Sequence, residues 1–428
     1  MNTFDRIEGA MPRLLTELAD PRTPDYFDIV VSRTAASSQR PGWTFPERWL
    51  PMSVATLGGI TRSTVPWRMV GLIALLLLAL IGGTLLFIGS RARPLPAPFG
   101  PALPGLVVYE SDGDLYTADP TTGTSTPLLT GPTVDSQPRW SPDGTRVAFL
   151  REAGPGLATV HVLDVRSDAV SAVTAEPLGL VSSHVFSPDN RLLLVTSTRS
   201  GQDVVTIFRL DGGAAVEIDA PGGASQPAFR PPDGRQVIFV TGVGESLEGQ
   251  GLAVHDLATG SVQTIVEPIP GSVMTGRPEY SPDGTRITYS VWVPSQDLPS
   301  RAYTANADGS DARILRFPSD SCCEAMPVWS NDGTRLAMTR WDSNENEFIA
   351  VVPWDEGGVG TQFAVPGLYR GVVTWSPDDR WVLVTPLNDE FGTNRSPQVL
   401  LDLETGREKP IRWVSESDPS VQRLAPGS

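Results

Sequence analysis

Two hydrophobic rhythms divide the chain. Up to about residue 90 the apolar positions follow helical steps or run unbroken; beyond residue 104 they come in runs of about four, separated by turn residues. Ile7, Met11, Leu14, Leu15 and Leu18 recur every three or four residues and predict a short amphipathic helix within residues 1–20. Thr23-Pro24-Asp25 supplies an N-cap, a first-turn proline and an acid for a second helix, with Tyr26, Phe27, Val30 and Val31 on its apolar face. The aromatic and Pro-rich stretch from Arg40 to Pro51 interrupts helix, and its aromatics would dock on these helices or lie at a membrane surface. Residues 69–90 carry no charge and are bracketed by Arg68 and Arg91. Twenty-two helical residues would reach about 33 Å, enough for a bilayer core of about 30 Å, so a single transmembrane helix is expected over residues 67–90.

The second rhythm is a repeat. Trp140-Ser141-Pro142-Asp143-Gly144-Thr145-Arg146 returns as Tyr280-Ser281-Pro282-Asp283-Gly284-Thr285-Arg286 and as Trp329-Ser330-Asn331-Asp332-Gly333-Thr334-Arg335. Looser copies begin at Phe186, Phe229 and Trp375. Each ends one strand on an aromatic, turns through Ser-Pro-Asp-Gly, and enters an apolar run such as Val147-Ala148-Phe149-Leu150. The aspartates read as turn formers. Out of phase lie strands ending in an acid before a Gly-containing turn, at Asp119, Asp164, Asp211, Asp256, Asp308, Asp355 and Asp402. Repeats of about 45 residues predict a propeller or solenoid. Seven copies of this third strand stand against six of the first, and Val421 lies 46 residues after Trp375. Residues 418–425 should therefore supply the missing first strand of the blade begun by residues 105–130, closing a ring of seven blades. Six blades with a loose N-terminal arm is the alternative.

These motifs, with Thr304-Ala305-Asn306-Ala307-Asp308-Gly309-Ser310, resemble the WD-like repeats of TolB-type propellers and of the propellers attached to some oligopeptidases, over residues 105–425. The resemblance implies a protein-binding all-β propeller. TolB-type rings commonly have six blades, one fewer than this count.

The expected organisation is a cytoplasmic helical and aromatic segment (1–66), a transmembrane helix (67–90), a Pro-rich spacer (91–104) and the propeller (105–428). Sixty-six residues precede the apolar run, which disfavours a cleaved signal peptide. Arg48, Arg62 and Arg68 outnumber Arg91 and Arg93, so the N-terminus is expected inside and the propeller outside the cytoplasmic membrane. Five prolines between Pro94 and Pro104 make a stiff spacer of roughly 30 Å. Gly and Pro total 81 of 428 residues, which suits a turn-rich β-protein, and Lys409 is the single lysine, as in a GC-rich bacterial genome.

Charge narrows the partners. Residues 1–93 hold ten arginines against seven acids; residues 94–428 hold 23 basic against 42 acidic residues, a net −19. So acidic a propeller repels nucleic-acid backbones, and no nucleic-acid partner is expected. Cys322 and Cys323 are adjacent and provide neither a disulfide framework nor a zinc site. The three histidines, His161, His184 and His255, read as packed or exposed strand residues rather than ligands, and no metal or cofactor is expected. There is no Gly-x-Ser-x-Gly elbow, phosphate loop or metal-helix motif, and no hydrolase-sized segment follows the repeats, so no enzyme activity is expected.

One cluster has binding chemistry. The connections between second and third strands should share one face of the ring. In four consecutive blades they carry Glu245 and Glu248; Trp292 and Asp297; Trp341, Asp342, Asn344, Glu345 and Glu347; and Asn388, Asp389, Glu390 and Phe391. They would form a recognition face for a cationic ligand or basic protein patch, or else ordinary solvated loops. The leading expectation is a membrane-anchored module that binds a protein or ligand. A second is a single-pass regulator with the layout of anti-sigma factors, in which residues 1–66 meet a cytoplasmic partner; that family's zinc-binding His and Cys signature is absent there. A third is a propeller hydrolase or lyase using Asp389 and Glu390 or acids near Asp342.

Overall fold

The computed structural model describes Leu75, Leu76 and residues 99–424 apart from 221, 243–248, 294–297, 316–320, 343–346, 356–359, 365–367 and 388–397. Leu75 and Leu76 are helical. The rest of the expected N-terminal segment, membrane helix and most of the spacer lie outside the described residues. Among the described residues no helix is long and apolar enough to cross a membrane.

From Leu103 to Leu424 the chain forms seven antiparallel sheets, one per blade. In the second blade Asp135–Trp140 is the inner strand, followed outward by Arg146–Gly154, Leu157–Asp164 and Ala169–Ala172. The third, fourth, sixth and seventh blades begin with inner strands Val181–Phe186, Ala224–Phe229, Ser321–Trp329 and Leu368–Trp375. The fifth has its inner edge in two pieces, Val273–Met274 and Glu279–Tyr280, both paired with Arg286–Val293. The first blade takes its outer three strands from Leu103–Ser111, Asp114–Ala118 and Ser125–Leu129 and its inner strand from Ser420–Leu424. Val421 pairs with Val107 as Trp140 pairs with Val147, so the chain's last strand closes the ring in the expected register.

Second strands are apolar at consecutive positions because both faces are covered by neighbouring blades. Phe149 packs with Leu115 of the first blade, while Ala148 and Leu150 pack with Val181 and Phe186 of the third. The repeated turn is built as its residues dictate. Ser141 Oγ donates to Asp143 at 2.6 Å, and the Thr145 amide donates to the same carboxylate at 3.2 Å. Gly144 stands at φ 67°, where a Cβ would meet the Arg423 carbonyl at 2.6 Å. The motif arginine reaches the following blade: Arg146 donates to the Asn190 carbonyl at 2.7 Å and Arg335 to that of Asp379 at 3.1 Å.

Candidate functional site

Antiparallel order fixes the faces of the ring. Ser-Pro-Asp-Gly turns, at the ends of inner strands, lie on one face; the starts of inner strands and the second-to-third connections lie on the other. Of the expected recognition residues, Glu245, Glu248, Asp297, Glu345, Asp389, Glu390 and Phe391 lie outside the described residues. Trp292, Trp341 and Asp342 belong to strands rather than to loops. Arg286–Val293 and Arg335–Asp342 each run eight residues, because the alternation of apolar positions persists to Val293 and Trp341. Trp292 is 42% exposed at its strand end and Trp341 is half-buried. Both stand toward the connection-bearing face.

The turn aspartates are structural. Asp143, Asp283 and Asp332 are pushed up by burial, but hydrogen bonds from their Ser and Thr neighbours outweigh it and hold each below the usual carboxylate value. Asp119, Asp164, Asp256 and Asp402 accept amide hydrogens from residues two and three positions on. His161 stacks on Phe149 and bonds Thr159, and His255 is buried. His184 is 4% exposed beside the Ala148 carbonyl; burial, then the charge of Arg139, pushes its pKa down to about 3. Among the described residues no three His, Cys, Asp or Glu side chains gather to hold a metal ion. Cys322 and Cys323 have described backbone only.

A candidate site lies in the central channel, at the end where inner strands begin. Gln137, Arg139, Ser182, Thr385, Ser417 and Asp418 are among the residues lining a cavity of about 470 Å³ there. Its wall is shaped by bulges. Gln137, Gln226 and Met326 each stand at φ 51–53°, each precedes a proline, and each lies three residues before the aromatic that ends its strand. The pairing slips at these points, between Ser136 and Arg139, Ser225 and Ala228, and Ala325 and Val328. Proline cannot donate to the ladder, so the bulge lies where the strand lacks a donor. Arg277-Pro278 and Asp418-Pro419 hold the same position in the fifth and first blades. A proline two residues before the strand-ending residue, an aromatic in four blades and Val421 in the first, is the sequence signal for this channel wall.

Charges meet across the cavity. Arg139 Nη2 lies 3.7 Å from Asp418 Oδ2, with both side chains partly exposed. Glu110, buried behind the wall, accepts from the Gln137 amide and from Ser417 Oγ at 2.6 Å. Burial pushes the Glu110 carboxyl up, against those two hydrogen bonds.

The turn face is crossed by the chain's own approach to the ring. The Ala102 amide donates to the Pro377 carbonyl at 2.7 Å, and Arg423 donates to the Gly100 carbonyl and to Asn331 Oδ1. Phe99 lines a second cavity of about 220 Å³ with Pro142, Pro188, Pro231, Phe229 and Tyr280. Asn331 stands where other copies of the turn have proline, and its amide and side chain both donate to Asp379 at 2.7 and 2.8 Å.

Comparison with known proteins gives the family of the ring. The TolB beta propeller domain matches residues 106–291. The chain is 27% identical over 187 residues to the uncharacterized peptidase YuxL of Bacillus subtilis, covering 42% of this chain and 25% of that protein. It is 24% identical over 182 residues to the uncharacterized protein Atu1656 of Agrobacterium fabrum, covering 41% of this chain and 61% of the relative. The chain thus spans a quarter to three fifths of the curated relatives it matches. A solved oligogalacturonate lyase in complex with manganese shares the fold at 14% identity and a TM-score of 0.52, over 73% of this chain and 85% of the lyase.

Proposed function

This chain carries a TolB-type β-propeller, and we propose that the ring is a binding module, held outside the cytoplasmic membrane by residues 69–90, that meets a protein or small ligand on the face bearing the second-to-third connections. The observation that carries this reading is the polar cavity of about 470 Å³ at the end of the channel nearest that face, walled by bulges in strained backbone. Backbone held at φ > 0 in non-glycine residues persists where the surroundings over-determine it and clusters at functional sites. The acidity of residues 94–428 and the expected loop acids favour a basic partner. Residues 1–66 would remain in the cytoplasm, where the anti-sigma layout would give them a partner of their own.

A cell-surface crosslinking experiment tests the reading. A photo-crosslinker at Trp292 or Trp341 should capture a partner, and one at Asp164 on the turn face should not. Association should weaken as salt rises, since charge steering is screened beyond about 8–10 Å. Protease added to spheroplasts should digest the propeller and spare residues 1–66. Protection of the propeller instead would reverse the topology. The lyase or hydrolase alternative needs two carboxylates at working separation, and its suspects, Asp342, Asp389 and Glu390, lie outside the described side chains.

A further inference from the structure

One position of the channel wall varies around the ring: it is apolar as Leu150 and Val240 in two blades, polar and partnered in others, and polar without a partner in one sector. The position is the residue of the second strand three beyond the partner of the strand-ending aromatic, or of Val421 in the first blade, and in the first and fifth blades it stands behind the bulge of the next blade. Glu110 and Ser290 hold this position in the first and fifth blades. Each accepts the bulge amide of its neighbour: Gln137 donates to Glu110, and Met326 to Ser290 Oγ at 3.1 Å. Thr339 and Thr385 hold it in the sixth and seventh. They are 0% and 6% exposed, and neither hydroxyl has a hydrogen-bond partner.

In the seventh blade Gly371, at φ 151°, pairs directly with Thr385, and Val372 holds the position three before Trp375. A Cβ on Gly371 would lie 3.0 Å from Met326 Cε and 3.4 Å from Thr339 Oγ1, so the glycine lets Met326 and that hydroxyl close against its backbone. In the first blade Ser417 turns its hydroxyl to Glu110 instead. Thr385 and Gly371 line the same cavity as Arg139 and Asp418. The Arg139–Asp418 separation of 3.7 Å is beyond hydrogen-bond length, and their side chains are 37% and 60% exposed. One sector therefore joins buried hydroxyls without partners, a cavity and an incompletely closed ion pair.

We propose that this sector binds a free α-amino acid, its carboxylate on Arg139, its ammonium on Asp418 and its polar side chain on Thr385 and Gln137. A lone anion would face Asp418 and the neighbouring Glu416; a lone cation would face Arg139. A zwitterion with opposite charges on adjacent atoms satisfies both walls, and inserting it leaves neither Arg139 nor Asp418 uncompensated. The guanidinium fork matches a carboxylate in two parallel hydrogen bonds. The volume falls within the range of roughly 300–1,000 Å³ usual for small-ligand sites. The site lies in the channel rather than on the loops, so it deepens the binding-module reading by naming a ligand while depending on different residues.

The test is equilibrium dialysis of the full-length protein in detergent with radiolabelled L-serine, L-glutamine, L-alanine and L-leucine, with acetate and ethylamine as single-charge probes. Saturable binding of L-serine or L-glutamine is expected, tighter than L-alanine. Arg139→Gln, Asp418→Asn and Thr385→Val should each weaken it about tenfold or more. The circular dichroism and melting of these variants show that the ring is intact. Reversing Trp-flanking Asp342 to Lys should leave amino-acid binding unchanged even if it abolishes partner capture, so the two readings fail separately. The proposal is overturned by absence of saturable binding up to roughly 10 mM, by acetate or ethylamine binding as tightly as the amino acids, or by binding that survives Arg139→Gln.

Discussion

The motif arginine acts as a joint between blades. In Arg335 the guanidinium carbon lies 5.0 Å from the centre of the Trp375 ring while Nη2 donates to the Asp379 carbonyl, so one side chain holds the seventh blade to the sixth twice over. Arg335→Ala should cost about 1–3 kcal/mol in urea unfolding. Arg335→Lys should recover only part, because an ammonium cannot both stack and fork. A loss within error for the alanine variant would show that the ring holds without this joint. Two titrating residues behind the channel wall give opposite pH signatures. His184 stays neutral in the fold down to about 3, whereas in the unfolded chain it protonates below 6.5. The unfolded state therefore binds more protons between those values, and stability is lost as pH falls through that window. His184→Leu should flatten the fall of the urea midpoint between pH 7 and pH 4.5. Glu110 has its folded pKa raised above 4.5, so its contribution is lost as pH rises through that higher value. Glu110→Gln keeps an acceptor for Gln137 and Ser417 and should gain stability on the parent at pH 7. Equal pH slopes in parent and variants would dismiss both assignments.

At the scale of the element, the bulge and the turn divide each inner strand between shape and stability. The turn end is satisfied locally, by Ser, Asp and Gly within a few residues. The bulge end places Gln226 at φ 51°, with its Oε1 buried and without a partner. Glycine tolerates that backbone, so Gln226→Gly should be neutral or stabilising by up to about 1 kcal/mol, while Gln226→Val should destabilise by about 1–2 kcal/mol. Midpoints in urea that order Val above Gly would remove the strain argument. These two ends also differ in how they could be read. Trp140-Ser141-Pro142-Asp143-Gly144 announces its hairpin because every residue acts on its own neighbours, and the seven third-strand aspartates announce theirs for the same reason. The cavity has no such local rule. Arg139, Ser182, Thr385 and Asp418 come from four blades and meet only because the ring closes. Trp292, Trp341 and Asp342 end strands where the sequence suggests loops, since an aromatic or acid at a strand end looks the same in sequence as one in a loop.

For the whole molecule, closure decides whether the channel exists. Ser420–Leu424 gives the first blade its inner strand, and its side chains extend the join in both directions around the ring. Ser420 Oγ accepts the Trp140 amide at 3.1 Å, and Gln422 Nε2 donates to the Gly144 carbonyl at 2.7 Å, both in the second blade. Arg423 reaches Asn331 of the sixth blade and Gly100 at the entry to the first. Lys409 of the seventh blade donates to the Pro120 carbonyl at 3.1 Å. A ring has no free inner edge, whereas a ring missing one strand exposes the edge of Leu103–Ser111 and uncovers Val107 and Val108. Deleting residues 416–428 should therefore lower the melting temperature of the entire propeller in one cooperative step and shift the protein toward larger species in size-exclusion chromatography. Removing Arg423 alone by Arg423→Ala should lower stability without opening the edge, since the strand pairing with Leu103 and Val107 remains. A truncated protein that melts and elutes like the parent would mean that the six other blades hold the circle unaided, and with it the Arg139–Asp418 wall would lose its architectural basis.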